Sequence, residues 1–238
     1  DGADWNGIVL EGAHPSSELS FVSWNDVAPS APCLTLIDTA LSGDHLNLST
    51  AEGLSILLVR SSINLADSIF PQRLGRPSIE SNGGLFEGYP LSLVRNQLGS
   101  VSIIDRPTDD LEKITLEDNR LANANVGLRV EGDTKLVGNR FESLGTGIVM
   151  DGGQLLVANQ VFHAVDTAIQ HLGPALVALE QSVVDEVGQL FVGSDTKDLQ
   201  AYVANNVITQ LATPLPEPLA ENSFVQFTHN FLSPEVES

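Results

Sequence analysis

The residues of this 238-residue chain whose types and spacing suit chemistry are two groups of carboxylates, a pair of histidines and a band of cations. Asp109 and Asp110 stand together after Arg106-Pro107-Thr108. Two carboxyl groups facing one bond act as acid and base in glycoside cleavage, so these are the candidate catalytic residues. Neighbours in an extended strand point to opposite faces, however, so the pair needs a turn to converge, and a solvated loop is the simpler expectation. The second group is a series of acids that each follow an apolar segment: Glu11, Asp38, Asp105, Glu131, Asp151 and Asp195. Carboxylates stacked one coil apart, as Glu131 and Asp151 would be, repel unless water or a cation lies between them. Calcium accepts oxygen ligands of this kind, which makes Glu131 and Asp151 the candidate calcium ligands; the competing reading is plain turn chemistry at Glu131-Gly132 and Asp151-Gly152. His163 and His171 have no carboxylate or cysteine at local ligand spacing, so a surface or corner role is expected of both. Six of the eleven basic residues (Arg106, Lys113, Arg120, Arg129, Lys135 and Arg140) crowd into one stretch. That band suits an acidic ligand such as a uronate, although relief of self-repulsion among the acids explains it more simply.

The elements that position these groups are read from a repeat. Ile114-Thr115-Leu116-Glu117-Asp118-Asn119-Arg120-Leu121 is followed by Lys135-Leu136-Val137-Gly138-Asn139-Arg140-Phe141 and then by Leu155-Leu156-Val157-Ala158-Asn159-Gln160-Val161-Phe162. The asparagines at 119, 139 and 159 recur every twenty residues, and each precedes a second matched segment: Val126-Gly127-Leu128, Thr146-Gly147-Ile148 and Thr167-Ala168-Ile169. Weaker copies surround Asn96, Asp67 and Asn205-Asn206. Asn and Asp tolerate the left-handed backbone that a sharp corner requires, and stacked amides can bond from coil to coil. Each coil then holds three short strands, for example Lys113–Glu117, Arg120–Ala122 and Gly127–Val130, none long enough for a helix. The pattern predicts an all-β fold, a right-handed single-stranded parallel β-helix of roughly ten coils in one domain over 1–238. At about 4.8 Å per coil the rod is on the order of 50 Å long. A leucine-rich repeat is the competing architecture, because Leu111-x-x-Ile114-x-Leu116-x-x-Asn119-x-Leu121 fits its consensus. The next coil breaks that consensus with Glu131 and Thr134. Irregular loops are expected near 71–90 and 105–112, and an extended connector at 214–218.

Composition narrows the partners. With 31 acidic against 11 basic residues the formal charge is −20, which excludes a general nucleic-acid partner and disfavours anionic membrane surfaces. No apolar run is long enough for a membrane span. The single cysteine, Cys33, lies between Pro32 and Leu34 and is expected to be a buried thiol rather than a nucleophile. The opening Asp1-Gly2-Ala3-Asp4-Trp5 reads as the start of a segment of something longer, so flanking sequence or other protein subunits are expected at the coil ends.

The coils Asn119-Arg120-Leu121 … Gly127-Leu128, Asn139-Arg140-Phe141 … Gly147-Ile148 and Asn159-Gln160-Val161-Phe162 … Ala168-Ile169 resemble those of the pectate-lyase-like superfamily of right-handed β-helices. The resemblance covers nearly the whole chain and implies architecture more than activity, since that class holds lyases, hydrolases, epimerases, tailspikes, adhesins and spacers. It implies an extracellular, cell-surface or periplasmic location. Aromatic platforms for sugar are scarce: Trp5, Trp24, Tyr89 and Tyr202. The expectation is therefore a non-enzymatic structural or recognition module without a cofactor other than calcium. The alternative is a polysaccharide-acting enzyme that uses the basic band and the two loops.

Overall fold

Alternating four-residue segments recur in the first half of the chain: Leu34–Ile37, Ile56–Val59 and Leu91–Val94 each bury their first and third side chains and leave the others half-buried. Such segments are too short for helices and have the period of two that places one face on a core. In the computed structural model they build a parallel solenoid. The structure describes residues 7–14, 16–23, 31–48, 54–70, 76–104, 114–193, 198–213 and 223–233. Among these every regular element is a strand, every strand pairing is parallel, and no helix is long and apolar enough to cross a membrane.

Two walls run the length of the rod. The second wall has ten strands, from Glu18–Ser20 to Phe224–Thr228, which matches the expected count of coils. The first wall begins at Ile8–Glu11 and its register runs through Val183–Gly193 to Thr213. A third, short wall starts as Gln97–Leu98 and Arg120–Ala122, and in later coils it fuses with the first wall into eleven-residue strands, Arg140–Met150, Val161–His171 and Val183–Gly193. The three strands expected in the central coil are found at Ile114–Glu117, Arg120–Ala122 and Val126–Val130.

The core is a set of stacked columns. Leu93, Leu116, Leu136, Val157, Leu179 and Val203 align in register on the second wall; Ile79, Val101, Leu128, Ile148, Ile169 and Phe191 align on the first. All are buried. Each contributes about 1.5–3 kcal/mol relative to an exposed position. On the third wall the rings of Phe141 and Phe162 stack with centroids 5.0 Å apart. Gly147 makes this possible, because a Cβ there would lie 2.7 Å from the Ala168 carbonyl oxygen and 3.0 Å from the Phe162 ring. The glycine of the sequence repeat is thus a packing requirement rather than a turn. Cys33 is fully buried, and burial pushes its thiol up to about 11, as expected of a core cysteine.

Among the described residues one corner recurs after each strand of the second wall. Phe21, His45, Asp67, Arg95, Asp118, Gly138, Asn159, Gln181, Asn205 and His229 each adopt a positive φ there. The next residue points inward and forms a ladder: Ser68, Asn96, Asn119, Asn139, Gln160, Ser182, Asn206 and Asn230. This corrects the expected alignment. Asn119 and Asn139 are ladder residues, whereas Asn159 is the left-handed corner residue and Gln160 takes the ladder position. Within the expected loop at 71–90, of which 76–90 are described, Ile79–Asn82 is a strand that pairs in register with Ile56–Val59. The segments 105–112 and 214–218 lie outside the described residues.

Replacing Gly147 with Val should destabilise the protein by about 2–3 kcal/mol through overpacking against Ala168 and Phe162. Thr146→Val, on the half-buried outward position beside it, should stay within about 0.5 kcal/mol. Urea midpoints of the two variants check the contrast.

Candidate functional site

Outward side chains at equivalent positions of successive coils form columns, so functional groups here are assembled from residues about twenty to twenty-four apart. On the third wall one such column reads Glu142, His163, Asp185, Thr209. Its members interact along the rod axis. Glu142 receives Arg120 Nε at 2.6 Å from the preceding coil and also pairs with Arg140 of its own coil. His163 Nδ1 lies 3.2 Å from Asp185 Oδ2, and Thr209 Oγ1 donates to Asp185 Oδ1 at 2.6 Å. Glu186, the next residue, has φ 53°, which breaks strand alternation and turns its carboxylate toward the same histidine, 3.9 Å from Nε2. His163, Asp185 and Glu186 offer ligand atoms that all lie within 4.8 Å of one another. The expectation that no carboxylate accompanies His163 is therefore corrected: its partners come from the adjacent coil, and the readable signal was the 22-residue step from His163 to Asp185.

Among the described central cations, Arg120, Arg129 and Arg140 are engaged in similar contacts. Arg129 Nε donates to Asp151 at 2.9 Å across one coil. Earlier in the rod Arg60 forms a two-pronged pair with Asp38 at 2.7 and 2.6 Å, and Arg95 does the same with Asp67 at 2.8 and 2.7 Å. Hydrogen bonds from these arginines hold the Asp38 and Asp67 carboxyls below the usual aspartate range. For Glu142 burial pushes the carboxyl up, but the bonds from Arg120 and Arg140 outweigh it and leave it below its ordinary value. The guanidinium groups lie at the solvent boundary, where water screens the attraction, so the main effect of these pairs is to neutralise charge in an acidic chain.

Glu131 and Asp151 do sit one coil apart, since Val130 and Met150 are in register. The Asp151 carboxylate accepts from Arg129 Nε of the preceding coil. Asp109 and Asp110, the candidate catalytic pair, lie outside the described residues, as do Asp105 and Asp195. Beside Arg129 a shallow cleft of about 380 Å³ is lined by Arg76, Glu80, Ser102, Asn125 and Val126 among others.

His171, at the other end of the same strand, is buried at a strand end rather than on the surface. It is 1% exposed at the end of the first-wall strand, its Nδ1 lies 3.2 Å from the Gly173 carbonyl, and its Nε2 has no hydrogen-bond partner. The ring lies over Gly193 of the next coil, where a Cβ would meet Nε2 at 1.7 Å. Burial pulls its pKa below the ordinary 6.5. No family model matches the chain, and no curated protein or solved structure matches it significantly.

These shifts set the pH dependence of stability. His171 stays neutral in the folded state while the unfolded chain takes up a proton near pH 6.5, so its contribution is full above that value and declines as pH falls through it. The depressed carboxyls of Asp38, Asp67 and Glu142 contribute above their unfolded values of 3.8, 3.8 and 4.5 and lose that contribution on further acidification. Melting temperature should therefore fall in two stages on acidification, and His171→Leu should flatten only the upper one. Thermal unfolding scans from pH 8 to 3 read both limbs.

Proposed function

We propose that this chain is a non-catalytic β-helical module of the pectate-lyase-like class, serving as a rigid structural or recognition segment of a secreted or surface-assembled protein. The observation that carries this reading is the coil-to-coil pairing of the arginines: Arg60, Arg95, Arg120 and Arg129 each hold an acid one coil away. Cations used as struts between coils favour a building element over a groove that grips an anionic sugar. The parallel stack and its continuous core support the same reading, because a rod of fixed pitch presents side chains at regular intervals to a partner. The acid excess favours a location outside the cytoplasm, at the cell surface, in the medium or in the periplasm.

The last coil supports a partner at the rod end. Phe227 continues an inward column below Val203, and Leu232 continues one below Ile208, yet both remain over a third exposed. Flanking sequence or another subunit that adds a further coil would cover these side chains and the open strand edge. The alternative, a polysaccharide-acting enzyme, is favoured by the cleft beside Arg76, Glu80 and Arg129. In it the acidic sugar would lie across the first wall, with Asp109 and Asp110 as the acid and base.

Incubation of the full chain with a panel of acidic polysaccharides separates the two. The module reading predicts no unsaturated products and no new reducing ends above the protein-free control. Turnover that disappears in Asp109→Asn or Asp110→Asn would establish the enzyme reading in its place.

A further inference from the structure

We infer that His163, Asp185 and Glu186 form a binding site for a first-row divalent metal ion of the zinc class on the outer face of the third wall. The site is independent of the module reading: it requires only these three side chains and the stack that aligns them.

Three features converge. First, the donor set is mixed, one imidazole and two carboxylates, and this combination suits zinc-like ions rather than calcium, which takes oxygen ligands alone. Second, the backbone fixes the donors. His163 and Asp185 are register partners on adjacent coils, so their Cα positions are set by the parallel ladder and not by side-chain choice. Glu186 would point away in a regular strand, but its φ of 53° places it on the histidine side. Third, Asp185 is oriented from outside the trio, because Thr209 of the following coil donates to its Oδ1 at 2.6 Å and leaves Oδ2 directed at His163. Ligand carboxylates in metal sites are ordinarily held by such an outer hydrogen bond.

The geometry is close to what an ion needs. Donor atoms around a tetrahedral zinc stand roughly 3.3 Å apart, given bonds of about 2.0–2.1 Å. His163 Nδ1 and Asp185 Oδ2 are already at 3.2 Å. Glu186 Oε2 stands 3.9 Å from the other ring nitrogen, Nε2, so an ion held at Nδ1 draws the 51% exposed Glu186 side chain toward Asp185, across a donor set that already lies within 4.8 Å. Three protein ligands leave the fourth position to water or to a group from a partner. Two adjacent acids in a chain of charge −20 also gain from a divalent cation, since it removes a repulsion that a single imidazole relieves only in its protonated form. Thr209 is a positioning residue and touches no ion.

Calorimetric titration of the full chain with ZnCl₂ at neutral pH tests this, with cobalt(II) absorption reporting coordination. The site predicts one equivalent of zinc per chain. His163→Ala, Asp185→Asn and Glu186→Gln should each weaken binding at least about tenfold, and Thr209→Val by up to about tenfold. His171→Leu should bind as the parent does, and excess CaCl₂ should not displace the zinc. Cobalt should give the intense visible bands of a low-coordinate site, lost in Glu186→Gln, an exposed change whose far-ultraviolet circular dichroism shows whether the fold is kept. Absence of a one-equivalent site, undiminished binding in both His163→Ala and Glu186→Gln, or displacement by calcium would overturn the inference.

Discussion

The corner ladder is the interaction on which the rest of the solenoid depends. At each sharp turn the chain passes through a left-handed residue and then presents a backbone N–H that no neighbouring strand accepts. A buried donor without a partner costs about 1–3 kcal/mol, so every coil needs a local solution. Here the solution is the side chain one coil further on. The N–H of Ser68 donates to Asn96 Oδ1, that of Asn96 to Asn119 Oδ1, that of Asn119 to Asn139 Oδ1 and that of Asn139 to Gln160 Oε1, each at 2.9 Å. Ser182, Asn206 and Asn230 carry the series on. The asparagine amide groups return donors to the core-facing backbone, as when Asn119 Nδ2 reaches Leu93 O at 2.7 Å and Asn139 Nδ2 reaches Leu116 O at 2.8 Å. All the bonds along the series point one way, an arrangement in which each polarises the next.

Pinning the corner frees the remainder of the coil. Ladder partners are 20 residues apart at Asn119 and Asn139 but 28 apart at Ser68 and Asn96, because the loop between them takes up the difference without disturbing the register. The outer chemistry follows from the same constraint. Residues remote in sequence stand about 4.8 Å apart along the axis wherever their coils are in register. Arginines reach acids across that gap, and on the third wall His163 meets Asp185 and Glu186. A solenoid builds its sites by column, and the column is set by the corner.

How much of this was legible depended on whether a signal was local. The central strands, the buried cysteine and the importance of the asparagines are carried by runs of a few residues, and these were readable. The role of Gly147 was visible as a pattern, but its reason, the ring of Phe162 in the next coil, was not. The asparagine series misled at one point: a fixed step of twenty aligned Asn159 with Asn139, whereas the coil is one residue longer there and Gln160 stands in the ladder. Contacts between coils were hidden for the same reason. The pairs Arg129 with Asp151 and His163 with Asp185 are both 22 residues apart, and no local motif marks them. Once the corner residues are known, the outward columns can be read from sequence by stepping from corner to corner.

Amide hydrogen exchange across the corner measures the ladder directly. In the parent the backbone N–H of Asn119 should exchange as slowly as that of Arg140, which is bonded to the Asn119 carbonyl oxygen at 2.8 Å. Asn139→Ala removes the acceptor of Asn119 and should speed exchange at that amide by about a hundredfold, with a smaller effect at Ser182 further along the rod. An Asn119 amide that is unprotected in the parent, or whose rate is unchanged by Asn139→Ala, would contradict the account.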